Sequence, residues 1–143
     1  MPRPLEVPVF WLSHHHADEY NRTYVLAGVR VCARCLGTYP VLAAVFLGLF
    51  ALRSPLTWAW DVPVGLGLTL PALVDWAVGR FRPASGHNAV RMLTGVLLGA
   101  GLGRSLYVHV QRPLPVVLLA QALLVTGVAV PVILATYRRP RPE

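Results

Sequence analysis

The sequence predicts an all-α integral membrane protein: a bundle of four transmembrane helices with a short polar N-terminal segment packed on its cytoplasmic face. Three observations carry this. The 143 residues are 55% apolar and only 13% charged, against about 25% charged in an ordinary soluble domain. Mean hydropathy is +0.56. The apolar residues fall in four long blocks, with most charges at the block ends. That balance argues against a soluble globular domain and against a disordered chain, which needs low hydrophobicity.

Residues 1–36 form a polar, basic segment that holds Ser13, His14, His15, His16, Asp18, Glu19, Arg22, Arg30, Cys32, Arg34 and Cys35. Its opening, MPRPLEVPVFWL, is an apolar run broken by proline. It is too short for a cleaved signal sequence, so insertion is expected to use the internal helices. Residues 23–31 (TYVLAGVRV) read as a short hairpin around Gly28.

The bundle is expected over residues 37–137. The first span, residues 37–52, is short for a hydrocarbon core of about 30 Å unless its helix begins near Cys35. The second, residues 56–78, carries Asp61 near its start and Asp75 near its end. The third, residues 88–110, carries Arg91 and Arg104, and the fourth, residues 113–137, is almost wholly apolar. Pro63, Pro71 and Pro131 should kink their helices, which neighbours in a bundle tolerate. Residues 138–143 are a basic, proline-broken tail that reads as a topology anchor.

The net charge is +7 and all 13 basic residues are arginine. Ten of them (Arg3, Arg22, Arg30, Arg34, Arg80, Arg82, Arg91, Arg138, Arg139 and Arg141) fall on one predicted side. Arg53, Arg104 and Arg112 fall on the other. The excess places both termini in the cytoplasm, with the chain crossing the inner membrane several times. Nucleic acid is disfavoured as a partner, because no basic stripe is interleaved with aromatic residues. The bilayer is the expected partner.

Gly95, Gly99 and Gly103 recur at every fourth position of the third span. Such a ladder makes a flat face that another helix can approach closely, either within the bundle or from a second copy of the chain. Charges within spans are expensive and call for partners. Asp75 and Arg91 lie near the cytoplasmic ends of adjacent spans, and Asp61 and Arg104 match in depth at the other end, about 20 Å away. Both combinations are candidate ion pairs. Together with Asn88, Arg22 and Arg34, the first outlines a polar pocket at the cytoplasmic face.

Cys32-Ala-Arg-Cys35 is a C-x-x-C motif just before the first span. Two thiolates at this spacing can chelate one soft or borderline cation, and a tetrahedral structural zinc site needs two more ligands. His14, His15 and His16 lie upstream on the same side, and His87 lies in the second loop, so the ligand set is complete on paper. Zinc is the first choice and iron the second. Leu36 follows Cys35, so this is not a haem-attachment motif. His109 sits near the outer end of the third span and reads as interfacial. A redox reading competes, because a C-x-x-C at a helix N-terminus favours thiolate. Against it stand the reducing cytoplasmic side and the lack of a second cysteine pair to relay electrons.

These residues carry a resemblance. Asn21-Arg22-Thr23-Tyr24, Gly28 and then Cys32-Ala-Arg-Cys35-Leu-Gly37-Thr-Tyr39 resemble a family of small polytopic prokaryotic membrane proteins, domain of unknown function twenty eighty-five. Its pattern includes C-x-R-C-x-G-x-Y. Pro71 and Asp75 look like its P-x-x-x-D helix, and Asn88, Arg91, Thr94 and Gly95 look like its N-x-x-R-x-x-T-G. The likeness runs from about residue 13 to 99. The chain departs where the family has an upstream Cys-His, here Ser13-His14 or one of the next histidines, and where Thr23-Tyr24 replaces Ser-Phe. The resemblance implies a multi-spanning protein with a cysteine-rich cytoplasmic site and no particular activity.

Three functional readings follow. The first is a small membrane protein that binds metal at Cys32, Cys35 and histidines, with the metal holding the polar segment onto the bundle. The second is a thiol oxidoreductase that uses the same cysteines with a lipid quinone. The third is a metal-dependent enzyme in which zinc keeps an open position and the arginines orient a membrane-associated substrate. A transporter is disfavoured, because four helices leave little room for a pathway and no inverted repeat is visible.

Overall fold

The computed structural model describes residues 21–82 and 86–137. The candidate ligands His14, His15 and His16 and the basic tail lie outside the described residues. The fold is all-α apart from one hairpin. Strands β1 (Thr23–Leu26) and β2 (Val29–Cys32) pair antiparallel, with Thr23 opposite Cys32 and Leu26 opposite Val29. The expected turn falls at Ala27–Gly28, where φ is 49° and 79°. Two left-handed residues in a row match the twist of the flanking strands. Gly28 adopts this freely, whereas Ala27 carries a Cβ penalty of about 1 kcal/mol.

β2 runs straight into α1 (Ala33–Ala51), with Cys32 as the residue before the first turn. The helix therefore starts before Cys35, and its 19 residues reach about 28 Å. The motif read as preceding the first helix is thus split, with Cys32 ending the strand and Cys35 inside the first turn. Helix α2 (Asp61–Phe81) begins five residues later than the apolar pattern predicts. Pro63 fits its first turn, where no N–H is needed, and Asp61 N donates to Trp58 O at 3.1 Å to form the turn ahead of it. Helices α3 (Asn88–Gln111) and α4 (Val116–Tyr137) complete the chain. α2 and α4 run on through Pro71 and Pro131.

The helices pack in the order α1, α3, α2, α4. The closest seam is α1 on α3. Gly95 faces the backbone of Arg34, Gly99 faces Thr38, Gly103 faces Leu42 and Val45, and Gly37 of α1 faces Met92. The glycine ladder is therefore filled by α1 of the same chain, which closes that face to a second copy. The pairing order (34 with 95, 38 with 99, 42 with 103) shows that α1 and α3 run parallel. α2 and α4 are parallel too, since Gly65 faces Val117 and Arg80 Nη2 donates to Thr136 Oγ1 at 3.1 Å.

α1, α2 and α4 are long and apolar enough to cross a membrane. α3 has the length, but it carries Arg91 and Arg104 and is rich in glycine; it is also the helix with the most buried positions. Polarity is inverted relative to a soluble protein. Leu123, Val116 and Leu47 are mostly exposed, whereas Thr69, Ser105 and Gln121 are buried. The buried hydroxyls bond back to their own helices: Thr69 Oγ1 donates to Gly65 O at 2.8 Å, and Ser105 Oγ donates to Gly101 O at 3.0 Å. Gln121 Nε2 donates to Gly65 O at 3.2 Å and to Thr69 Oγ1 at 3.0 Å, tying α4 to α2. An amide bonding between helices is a common fastening in lipid, where packing gains little from hydrophobicity.

Candidate functional site

The β2–α1 junction sets Cys32 and Cys35 side by side. Both are free thiols; Cys32 is buried and Cys35 half-buried. The Cys35 thiol is within hydrogen-bonding reach of the Cys32 sulfur and the Tyr39 hydroxyl. Among the described residues, no third metal-ligating side chain joins this pair. His87 was expected as a ligand. It is the residue preceding α3, where its side chain makes no capping bond. Its extended backbone (φ −102°, ψ 142°) continues the loop that leads into that helix.

Next to the cysteines lies a cluster of arginines. Arg34, between the two cysteines in sequence, reaches from α1 to α2, where its Nη2 is ion-paired with Asp75 Oδ2. Sequence depth alone matches Asp75 with Arg91, but the short approach of α1 brings Arg34 to the carboxylate. Arg91 is buried, 6% exposed, and its Nη1 donates to Asn88 Oδ1 at 3.3 Å. Arg22, Arg34 and Asp75 all lie within electrostatic range of it. Asn88 also bonds outward, its Nδ2 donating to Thr23 O at 3.2 Å and so fixing the hairpin to α3. Arg22 Nη2 donates to Gly79 O at 3.1 Å near the end of α2, where helix carbonyls attract positive charge. The five predicted pocket residues, Arg22, Arg34, Asp75, Asn88 and Arg91, thus come together at one end of the bundle.

Two contributors escape a reading of the sequence. Gly86 (φ +102°) packs its Cα against the Arg91 guanidinium, and a Cβ there would lie 3.0 Å from Nη2. Tyr39 is visible in the sequence only as the last residue of the C-x-R-C-x-G-x-Y pattern.

The opposite end holds the second expected pair. Arg104 Nε meets Asp61 Oδ1 at 2.8 Å and Arg104 Nη2 meets Oδ2 at 3.0 Å, a bidentate fork. Arg104 Nη1 donates to Ser54 Oγ at 3.4 Å. Its guanidinium carbon lies 5.7 Å from the centre of the Tyr107 ring. The Tyr107 hydroxyl donates to Ser54 O at 2.5 Å.

An inverted polarity pattern, three candidate spans and charges paired between helices define a small multi-pass membrane protein with an arginine-rich, thiol-bearing site at one end. Residues 16–105 match the family described as "Predicted membrane protein (DUF2085)", and the chain belongs to that family. The matched stretch contains every described residue of the site, whereas α4 lies beyond it. No curated protein and no solved structure matches the chain.

Proposed function

We propose that the chain is a four-span inner-membrane protein, both termini cytoplasmic, that holds a zinc ion at Cys32 and Cys35. One observation carries the metal reading: the fold sets two free thiols side by side at a strand–helix junction. Two cysteine sulfurs set side by side supply half of a tetrahedral site and bind metal as thiolates. The remaining donors would come from His14, His15 or His16, which precede the hairpin by a few residues. A metal there fastens the segment before the hairpin to the bundle. Iron is the second candidate by the same donor chemistry.

α3 counts as a fourth span because it runs parallel to α1 along one continuous seam, so that a bilayer crossed by α1 is crossed by α3 as well. The two other helices that pack on it shield its charges. The cysteine–arginine end faces the cytoplasm by the arginine excess on that side.

The test is metal analysis by mass spectrometry on detergent-purified full-length protein without a tag, prepared without chelator. About one zinc or iron per chain is expected, lost in the Cys32→Ser, Cys35→Ser double variant. Metal-free protein whose two cysteines oxidise together to a disulfide would overturn this reading in favour of thiol redox chemistry.

A further inference from the structure

The end of the bundle away from the cysteines, where α1 and α3 finish, holds an arginine in an unusual place. α1 closes with two backbone bonds, Ser54 N to Leu49 O at 3.0 Å and Arg53 N to Phe50 O at 3.2 Å. This helix ending puts the residue after the cap in the left-handed conformation, most often as glycine. Here that residue is Arg53, with φ 48°. A side chain carries a steric cost there that glycine does not. The next residue is fixed on both of its oxygens: Tyr107 donates to Ser54 O at 2.5 Å and Arg104 Nη1 to Ser54 Oγ at 3.4 Å. Arg104 itself is engaged by Asp61. The exposed Arg53 guanidinium bonds no group among the described residues, the last α1 carbonyls included. It lines an open cleft of about 650 Å³, to which Gln111 adds an amide and Phe50, Leu56 and Tyr107 add apolar surface. Phe50 and Leu52 are exposed, as lipid-facing residues of a span are. Trp58 and Trp60, exposed in the following turn, mark the level of the membrane interface.

We propose that this cleft binds one anionic phospholipid of the adjoining leaflet, with its phosphate on the Arg53 guanidinium and the upper part of an acyl chain against Phe50. The planar donor fork of arginine suits a phosphate. Backbone strain at a non-glycine residue persists where the surroundings fix it, and here it holds a cation at headgroup depth. The carbonyl ends of α1 and α3 weigh against an anion, but that end charge is screened at an exposed site, and two of the α1 carbonyls are already bonded. A lipid fits better than a free anion because Phe50, Leu56 and Tyr107 give the headgroup's tail a surface to cover. The site needs α1 to cross the membrane, whichever side this end faces. It is independent of metal at the cysteines.

The test is native mass spectrometry of the full chain in detergent, titrated with phosphatidylglycerol, phosphatidylcholine or glycerol 3-phosphate. One phosphatidylglycerol per chain is expected, with phosphatidylcholine about tenfold weaker because its own ammonium group competes for the phosphate. Glycerol 3-phosphate, which has the head and no tail, should bind more weakly than phosphatidylglycerol. Arg53→Gly removes the cation and relieves the left-handed strain, so it should weaken phosphatidylglycerol about tenfold while the melting temperature holds or rises and metal content stays the same. Arg112→Gln removes an equal charge at the same end from a residue that does not line the cleft, and should leave the lipid preference nearly unchanged. Equal binding of the two lipids, or undiminished phosphatidylglycerol binding to Arg53→Gly, would overturn the assignment. An equal loss in Arg112→Gln would overturn the cleft in favour of diffuse surface charge. Glycerol 3-phosphate binding as tightly as the lipid would overturn the lipid in favour of a free phosphate ligand.

Discussion

The two ends of the bundle solve the same problem differently. The described residues contain two acids, one at each end. At one end, Asp61 is bound through both oxygens by Arg104, and Ser54 and Tyr107 complete the arrangement. At the other, Asp75 is bound by Arg34 while Arg22 and Arg91 stand nearby. A carboxylate matched by one arginine is a closed, structural device. At the thiol end the acid belongs to a wider network, in which Arg22 also bonds α2 and Arg91 also bonds Asn88. The two ends differ as a closed bidentate fork differs from a shared network.

The sharpest test of that contrast is to neutralise each acid. Asp61→Asn and Asp75→Asn each strand an arginine that is less than a quarter exposed. Each should lower stability by about 3–5 kcal/mol, the usual result of breaking a buried pair from one side. The two should differ in their response to added anion. Phosphate in the tens of millimolar range should restore much of the loss in Asp75→Asn, where several guanidiniums can share it, and little in Asp61→Asn. Thermal unfolding in detergent, followed by circular dichroism with and without phosphate, reads both effects. Equal rescue of the two would remove the distinction drawn here.

The seam between α1 and α3 holds the two ends in register. Gly99→Ala places a methyl against the Thr38 carbonyl, a backbone atom that cannot swing aside. Overpacking of this kind should cost about 1–3 kcal/mol. Gly67→Ala is the control, since its Cβ would meet nothing within 4 Å. It should leave stability unchanged or raise it by up to about 1 kcal/mol, because alanine is the better helix former. Both variants are scored by the same melting curves. A neutral Gly99→Ala would mean that the seam is looser than the described geometry.

What the sequence makes legible follows from where its signals are strong. Four apolar blocks with charged ends are an unmistakable membrane pattern, and the turn chemistry around Gly28 identifies the hairpin. The Asp61–Arg104 pair is readable because it needs only a depth match between two adjacent helices. Asp75 takes a different partner because Arg34 reaches it through a helix–helix approach that glycines at 37, 95 and 99 permit, and distance between helices is not written in a one-dimensional pattern. The same closeness explains why a ladder that suits a dimer is taken up inside the chain. Helix α2 starts late because apolar residues 56–60, with two tryptophans, look like span but precede the turn that Pro63 allows. Gln121 is hidden inside an apolar run, although a lone amide in such a run is itself a signal of contact between helices.

The smallest predicted effect bears on His87, which sequence logic offers as a metal ligand and the fold places at a helix start. Its backbone already has the extended conformation of an N-cap residue, and no side-chain oxygen bonds the free N–H groups of the first turn of α3. His87→Ser supplies that oxygen. The change should raise stability by about 0.5–1 kcal/mol, the ordinary worth of a good cap. A metal ligand would behave in the opposite way, since replacing it with serine lowers metal content and the stability that depends on it. Melting temperature and metal stoichiometry measured on one preparation therefore decide between the roles. A rise with unchanged metal identifies His87 as a misfit cap at the edge of the arginine end, and a fall in both quantities would make it part of the site.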